Sequence, residues 1–227
     1  MYAFGPLPLV SRNLNMHRIE DIKAFAVRCF SSARGSHDWD HTQRVHNLCM
    51  HIGQVEGADL EALEIAAYLH DVGRSYEDES KGVVCHAEKG AEIARNLLAE
   101  YPISDERKAN IIHCIRTHRF RGNYQPESLE ANVLFDADKL DAIGAVGIAR
   151  AFLFAGEVGA KLHNPYIQPE ETEPYSKEDT GYREYKLKLS RIKDRMLTVE
   201  GQRIAKERHA FMEMFFNRLT KEYEGDK

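Results

Sequence analysis

The chain of 227 residues is about one and a half times the usual domain size, so its length predicts one compact domain. It is 43% hydrophobic and 30% charged, and its longest apolar stretches fall far short of the roughly 20 residues of a spanning helix, which excludes a membrane protein. A net charge of −5 argues against a partnership with duplex nucleic acid. The four cysteines stand far apart, and no basic segment precedes the first apolar residues. We therefore expect free thiols and a cytoplasmic location.

Residues 1–17 carry two prolines and no clear period, which predicts a flexible N-terminal arm. Apolar residues then recur at helical spacing almost to the end of the chain. The predicted helices cover 19–30, 41–55, 60–69, 86–101, 105 to about 115, 129–154 (as one helix or two), 183–196 and 200–224. No stretch alternates β-branched and polar residues, so the predicted class is all-α.

Two polar stretches, 73–84 and the proline-containing 162–181, interrupt the helical pattern. The helices after the second stretch predict a C-terminal hairpin, at about 183–224, that packs on the main body. Because about 45 residues make a poor independent core, residues 18–227 are predicted to form a single domain that includes this extension.

Several polar side chains occupy positions where an apolar residue is expected. His41 and His70 lie at helical spacing from apolar residues, so both are expected to face the core. Asp71 follows His70 at the end of its helix. Asp138 lies on the apolar face of its predicted helix, whereas Asp136 lies about 160° away, so one of the two is expected to face the interior.

Imidazoles and carboxylates that face one core are costly to bury unless a cation compensates the charge. Two imidazoles and two carboxylates leave about two positions of an octahedral ion open for water or phosphate oxygens. A donor set of nitrogen and oxygen without thiolate suits Mn²⁺, Mg²⁺, Fe²⁺, Co²⁺ or Ni²⁺ better than structural zinc. The pattern therefore predicts a divalent metal ion as cofactor.

The order of His41, His70–Asp71 and Asp138 resembles the HD-domain superfamily of metal-dependent phosphohydrolases. The stretches HDWDHTQRVHNL, AAYLHDVGR, HAEKGAEIA, FDADKLDAIGAVGIAR and TVEGQRIAKERHAFM are similar to a bacterial and archaeal branch of small stand-alone HD hydrolases. Some members of that branch resemble nucleoside triphosphate pyrophosphatases. The resemblance covers roughly residues 20–220 and implies a helical bundle. It also implies one metal ion per chain, rather than two, held by those four residues, with Asp136 as the alternative to Asp138.

A metal ion of this kind can activate a water molecule for attack on phosphorus, and cationic groups are then needed around the phosphoryl oxygens. Arg44 follows His41 by three residues on one helix face, and we expect its guanidinium to reach a bound phosphate. Arg74 and Lys139 adjoin the predicted ligands and are candidates for the same role. A solvated surface base remains the alternative for each of these residues.

His86 and His118 also align with apolar residues, and three interpretations of them stay open. They bind phosphate or protonate the leaving group, they hold a second metal with Asp71 as a bridge, or they are satisfied pocket histidines. We rank the first slightly above the second. Asp141 follows Asp138 by three residues and either orients a ligand imidazole or caps a neighbouring helix.

These residues predict a metal-dependent phosphohydrolase that acts on a small phosphorylated metabolite, with a nucleotide as the favoured substrate. Possible walls for a base are the aromatic residues Tyr76, Phe120, Tyr124 and Phe154. The HD…ED arrangement of alarmone hydrolases is not reproduced, since Glu77 and Asp78 stand further along the chain.

Three other interpretations remain at this point. The same residues suit a binuclear iron oxygenase on a similar scaffold, or a non-catalytic ligand sensor that kept the fold. A homodimer is the third, because Phe211, Phe215 and Phe216 recur at helical spacing and predict either ordinary packing or a dimer face.

Overall fold

The computed structural model describes residues 17–30, 39–119 and 124–226, so nearly all of the predicted N-terminal arm lies outside the described residues. Within these ranges the chain forms α-helices and two short 3₁₀ segments, with no β-strand. The helices are α1 (His17–Cys29), α2 (Trp39–Glu56), α3 (Leu60–Leu69), α4 (Arg74–Glu79), α5 (His86–Leu98), α6 (Asp105–Thr117), α7 (Leu129–Leu140), α8 (Gly144–Glu157), α9 (Gly181–Leu187) and α10 (Val199–Glu224). The all-α prediction is confirmed.

Helix α3 forms the centre of the bundle. Seven of its ten residues are buried, and α1, α2, α6 and α7 pack around it. A helix whose residues are mostly apolar is stable only when it is largely enclosed in this way, and its two glutamates, Glu61 and Glu64, are the residues left partly exposed inside the helix. Three of the buried residues are alanines, which let the neighbouring helices approach closely. As a consequence, the residues that directly follow α3 lie in the interior of the protein.

Short polar side chains define where the helices begin. The carboxylate of Asp59 accepts hydrogen bonds from the first turn of α3, and the hydroxyls of Ser104 and Ser128 do the same for α6 and α7. The stretch 129–154 forms two helices, because Ile143 has an extended backbone and Gly144, the first residue of α8, has a left-handed φ of 78° that glycine adopts freely. The interrupting stretch 73–84 contains the short helix α4.

The C-terminal part of the chain packs against α7 and α8. The first arm of the predicted hairpin is a short helix, α9, followed by a 3₁₀ segment at Leu189–Arg195, and the second arm is the 26-residue helix α10. The segment between α8 and α9 contains one 3₁₀ turn, at Pro169–Glu171, in keeping with its prolines. Among the described helices, none has the length and apolar character needed to cross a bilayer.

Candidate metal centre and adjoining cavity

The predicted site residues meet at one end of the bundle. Here α3, α6 and α7 end, while α2 and α5 begin. His70 and His118 are the residues directly after α3 and α6, and Asp138 lies in the last turn of α7. His41 and His86 lie in the first turns of α2 and α5. The carboxyl ends of three helices carry partial negative charge that favours a cation here, and the amino ends of α2 and α5 partly oppose this effect.

The structure brings His41, His70 and Asp138 together as one group. One ligand atom from each lies within 4.8 Å of the others. The Nε2 atoms of His41 and His70 are 3.4 Å apart, and Asp138 Oδ1 lies 3.3 Å from His41 Nε2. Asp71 faces the same group, since its Oδ2 is 3.8 Å from the Nε2 atoms of both histidines. The four predicted ligands therefore surround a common space.

A second group is formed by Asp71, His86 and His118, again with one ligand atom from each within 4.8 Å of the others. Asp71 Oδ1 lies 3.3 Å from His86 Nε2 and 3.6 Å from His118 Nε2. The two imidazoles approach each other to 3.1 Å through their Nε2 atoms. The carboxylate of Asp71 thus stands between the two groups, with one oxygen toward each.

Two of the imidazoles are held in the same way at the ends of their helices. His70 Nδ1 donates to the carbonyl of Ala67 at 2.7 Å, and His118 Nδ1 donates to the carbonyl of Ile115 at 2.6 Å. These carbonyls belong to last turns, where no further backbone N–H is available to them. A proton held at Nδ1 leaves the lone pair at Nε2, which is the atom that faces the site.

Asp141, directly after α7, orients the third imidazole. Its buried carboxylate accepts from His41 Nδ1 at 2.8 Å, from Arg44 Nε at 2.6 Å and from Arg150 Nη1 at 2.7 Å. The contact with His41 is the one that the first of its two predicted roles requires, and the role itself stays a prediction. Arg44, which was expected to reach phosphate, directs its guanidinium to Asp141, and its side chain is 35% exposed.

Glu77 orients the fourth imidazole, and the sequence contained no signal for it. Its Oε2 lies 2.5 Å from His86 Nδ1 and accepts the backbone N–H of His86 at 2.9 Å. Arg119 donates to the same oxygen at 3.0 Å. Glu77 lies on α4, inside a stretch that the apolar pattern marked as an interruption. Its approach to His86 depends on Gly73, where an added Cβ would lie 2.3 Å from the His86 carbonyl.

Asp136, the alternative ligand, has a different role. Its carboxylate accepts hydrogen bonds from the backbone N–H groups of Leu197 and Thr198 and from the Thr198 hydroxyl, at 2.7–3.1 Å. It therefore ties α7 to the start of α10. Asp136 is fully buried whereas Asp138 is partly exposed, so the expectation that Asp138 alone faces the interior was wrong: Asp136 is buried beneath the start of α10.

The charges of the site follow from its burial and its pairings. Burial lowers the pKa of His70 to about 4, so this imidazole is neutral at pH 7. Burial also disfavours a charged His41, but hydrogen bonds to Asp138 and Asp141 outweigh it and raise its pKa to about 9. Burial disfavours the ionised form of Asp138, but the positive charge of Lys139 and the hydrogen bond with His41 stabilise it. Together they hold the pKa of Asp138 well below the ordinary value. Without a metal ion, His41 therefore carries a proton between two carboxylates.

The donor set fits a divalent cation. It consists of imidazole nitrogens and carboxylate oxygens, and the free thiols of Cys49 and Cys114 lie in the hydrophobic core instead. His41 and Asp71 are buried, and the partners of His41 and His70 at Nδ1 fix both rings with Nε2 toward the common space. Oriented nitrogen and oxygen donors of this kind are typical of catalytic divalent sites.

A cavity of about 580 Å³ opens beside the two groups. Asp138, His86 and His118 form part of its wall, which places the metal-competent residues next to open space. The opposite wall comes from α9 and the 3₁₀ segment and contributes Leu187, Leu189 and Ile192. Among the residues that the structure describes, six cationic side chains line the cavity against two carboxylates: Arg74, Arg119, Lys139, Lys188, Arg191 and Arg195. Arg74 and Lys139 were predicted from the sequence, whereas the other four were missed. Three of them lie 50 residues or more beyond Asp138, the last predicted ligand.

An all-helical protein with this site belongs to a recognisable class, and comparison with known proteins identifies it. The HD domain family matches residues 38–143. YpgQ of Bacillus subtilis is 34% identical over 215 residues, which are 92% of this chain and 96% of YpgQ. The chain therefore belongs to the HD-domain superfamily, as its motifs predicted.

Solved structures give the same result at the level of the fold. The structure of B. subtilis YpgQ in complex with ADP has a TM-score of 0.68 and 33% identity, and covers 90% of this chain and 94% of that one. An HD-superfamily hydrolase from Bacillus thuringiensis has a TM-score of 0.73 and 29% identity, covering 92% and 97%. This similarity to a hydrolase over nearly the whole chain supports a metal-dependent hydrolase.

Proposed function

We propose that the protein is a metal-dependent phosphohydrolase that cleaves a phosphoester or phosphoanhydride bond of a nucleotide. One observation carries the proposal: a group of buried imidazoles and carboxylates borders a cavity whose wall is rich in cations. Neutral donors and carboxylates suit a divalent ion, and the cations suit the phosphate groups of a substrate. Neither half of the site alone would indicate this chemistry.

In this proposal His41, His70, Asp71 and Asp138 hold one divalent ion per chain. When bound, such an ion supplies Lewis acidity toward a phosphoryl oxygen and lowers the pKa of a water molecule toward neutrality. Arg74 and Lys139 bind the phosphoryl oxygens from the cavity wall. Lys139 also donates to the His118 carbonyl at 2.9 Å, which fixes its ammonium beside the site.

His86 and His118 line the cavity, and we assign them a role in binding the substrate rather than the metal ion. Each has its Nδ1 engaged by Glu77 or by the carbonyl of Ile115, so Nε2 is the atom left for the substrate. With Nδ1 protonated, Nε2 carries a lone pair, so the imidazole must take up a second proton before it donates a hydrogen bond to a phosphoryl oxygen or a proton to the leaving group. Arg44 acts through Asp141, by keeping that carboxylate in place behind His41.

A nucleotide is the favoured substrate for two reasons. The cavity joins its cationic wall to apolar side chains, as a nucleoside phosphate requires. The related YpgQ was crystallised with ADP. The six residues of the two groups also match what a binuclear iron oxygenase would need. The cationic lining favours the hydrolase, because dioxygen requires no anion-binding wall.

The test is turnover of nucleoside triphosphates, diphosphates and simple phosphate esters in the presence of Mn²⁺, Mg²⁺, Co²⁺ or Ni²⁺. We expect metal-dependent hydrolysis by the wild type and its loss in His70→Ala and Asp71→Ala. His51→Ala is the matched control, because His51 lies on the exposed side of α2 and pairs with Glu200. Two irons per chain with a visible absorption band would refute the hydrolase. Absence of turnover, with stability unchanged by metal, would favour a ligand sensor.

The role of His118 is tested by metal stoichiometry. With one ion per chain held by the first group, His118→Ala should still bind one ion while its turnover falls at least tenfold. Metal analysis after dialysis, together with the kinetics, measures both. Two ions in the wild type and one in His118→Ala would show instead that Asp71, His86 and His118 form a second metal site.

A further inference from the structure

A second, smaller cavity of about 310 Å³ lies next to the cationic one. The residues Glu184, Lys188 and Leu189 line both cavities, so the two share a wall. Small residues contribute to the lining of the second cavity, among them Gly147 and Ala151 on α8, together with Arg150, whose guanidinium donates to Asp141. It is therefore a compartment with small and apolar residues in its wall, directly adjoining the proposed phosphate site.

Two aromatic rings form one corner of this compartment. Phe154, on α8, and Tyr175, in the segment before α9, stand at 69° to each other with their ring centroids 5.9 Å apart. Both line the cavity. Tyr175 nevertheless remains 76% exposed, so its ring is held at the rim rather than packed into the core. An aromatic face in that position offers a stacking surface for a flat heterocycle.

The backbone of Tyr175 is in an unfavourable conformation that the surroundings maintain. Its φ is 59°, in the left-handed region that bulky residues rarely adopt. The N–H of Tyr175 donates to Asp179 Oδ2 at 2.7 Å, and the other oxygen of that buried carboxylate accepts from Arg183 Nη1 at 2.9 Å. Strain of this kind persists where the structure over-determines a residue, and it is concentrated at ligand sites.

We propose that the second cavity binds the nucleobase of the substrate, with Tyr175 as its stacking platform, while the phosphates occupy the cationic cavity. This inference rests on the proposed function. The small apolar residues and the aromatic corner suit a flat, weakly polar ring, and the shared wall joins them to the cations that suit its phosphates. Lys188, which lines both compartments, lies at the junction where the sugar and the first phosphate meet.

The experiment compares two probes that differ only in the nucleoside. Adenosine 5′-(α,β-methylene)diphosphate carries base, sugar and phosphates, whereas methylenediphosphonate carries the phosphorus groups alone. Calorimetry on the metal-loaded protein measures both affinities in wild type, Tyr175→Gly and Tyr175→Phe. Glycine adopts a φ of 59° freely, so Tyr175→Gly removes the ring without adding strain, and Tyr175→Phe retains the ring face. Tyr166→Ala is the control, because Tyr166 is an exposed tyrosine of the same segment whose hydroxyl bonds Glu224.

We expect Tyr175→Gly to weaken the nucleotide analogue about tenfold and to leave methylenediphosphonate unchanged, since loss of one base–aromatic stack is of that order. Tyr175→Phe and Tyr166→Ala should bind both probes as the wild type does. The inference is overturned if Tyr175→Gly weakens both probes equally or neither, or if the wild type binds the analogue no more tightly than methylenediphosphonate.

The same variants separate this inference from the proposed function. If the wild type hydrolyses no phosphate ester but Tyr175→Gly selectively weakens the analogue, the base site stands and the phosphohydrolase is wrong. If hydrolysis occurs but the variant loses no selectivity for the nucleoside, the phosphohydrolase stands and the base site is wrong.

Discussion

The histidines of the site differ from ordinary core histidines because each has a defined partner for its second nitrogen. Backbone carbonyls hold His70 and His118, and the carboxylates of Asp141 and Glu77 hold His41 and His86. A ring fixed at Nδ1 presents Nε2 in one orientation, so little conformational freedom is lost when Nε2 binds a metal ion or forms a hydrogen bond. At this scale the site is pre-organised before any ligand arrives.

The raised pKa of His41 predicts that metal binding is linked to proton release. Below a pKa of about 9 the free protein holds a proton on His41, and a cation must displace it. We therefore expect metal affinity to rise as pH increases from 6 to 9, by up to tenfold per pH unit, and to level off above pH 9. Calorimetry in buffers of different ionisation enthalpy should show close to one proton released per ion at pH 7.5.

Asp141→Asn is the informative variant for this linkage. It removes one of the carboxylates that raise the pKa of His41, so fewer protons should be released at pH 7.5. The metal itself should still bind, because Asp141 lies behind His41 and outside the ligand groups. A pH-independent affinity in the wild type would contradict the assignment of His41 as a ligand.

At the scale of elements, the candidate metal centre is built from the ends of helices. The centre forms where three helices end and two begin, so each element contributes one or two residues from a terminal turn. The start of α10 is anchored to α7 through Asp136, and Gly201 makes this possible, since a Cβ there would lie 2.3 Å from Asp136 Oδ2. The C-terminal extension is thereby joined to the helix that carries Asp138.

The two aspartates of α7 should have opposite effects when replaced. Asp136→Ala leaves the buried N–H groups at the start of α10 without an acceptor, which costs about 1–3 kcal/mol of unfolding free energy, while metal binding persists. Asp138→Ala should abolish metal binding with little loss of stability. Urea denaturation and metal analysis of both variants test the pair. Loss of metal binding in Asp136→Ala with unchanged stability would make Asp136 the ligand instead.

The basic residues of the 3₁₀ segment at Leu189–Arg195 should determine how strongly the phosphate groups of the substrate bind. Arg191 lines the cationic cavity and is exposed, so Arg191→Glu should raise the KM for a nucleotide several-fold and make it less sensitive to salt. Lys193→Glu, on the same segment but outside the cavity wall, is the matched control for net charge. Metal affinity should be unchanged in both. Equal effects of the two variants would mean that only the overall charge matters.

At the scale of the whole molecule, the apolar core and the site are largely separate. The core cluster extends through most of the helices of the bundle, whereas the site occupies one end of it. A cation bound only by the folded protein nevertheless stabilises it through mass action. Fold and site are therefore expected to respond differently to removal of the metal and to mutation of its ligands.

Metal addition should raise the melting temperature without changing the helical content. At about 100 times the dissociation constant the gain is about 2.7 kcal/mol, which corresponds to roughly 5–10 °C for a chain of this size. His70→Ala should lose this shift and keep its far-UV circular dichroism, because apolar packing holds the helices. Collapse of the helical signal in this variant would mean that the metal is structural.

Much of the fold was predictable from periodicity, because a helix records its buried face at a spacing of three to four residues. The inward positions of His41 and His70 followed from the same spacing, whereas the spacing did not predict that Asp136 is fully buried while Asp138 stays partly exposed. Glu77 was not predictable, since α4 is too short and polar to show a period. The destination of Arg44 was not predictable either, because its helix face permits contact with Asp141 as well as with a ligand.

The sequence by itself determined the helical class, the apolar faces and the residues capable of holding a cation, because these depend on spacing within one helix. The tertiary structure alone decided which oxygen of Asp71 faces which pair of histidines, that Asp136 binds the start of α10, and that distant basic residues line one cavity with Asp138. These are contacts between elements far apart in the chain, and their distances depend on how the helix ends pack together.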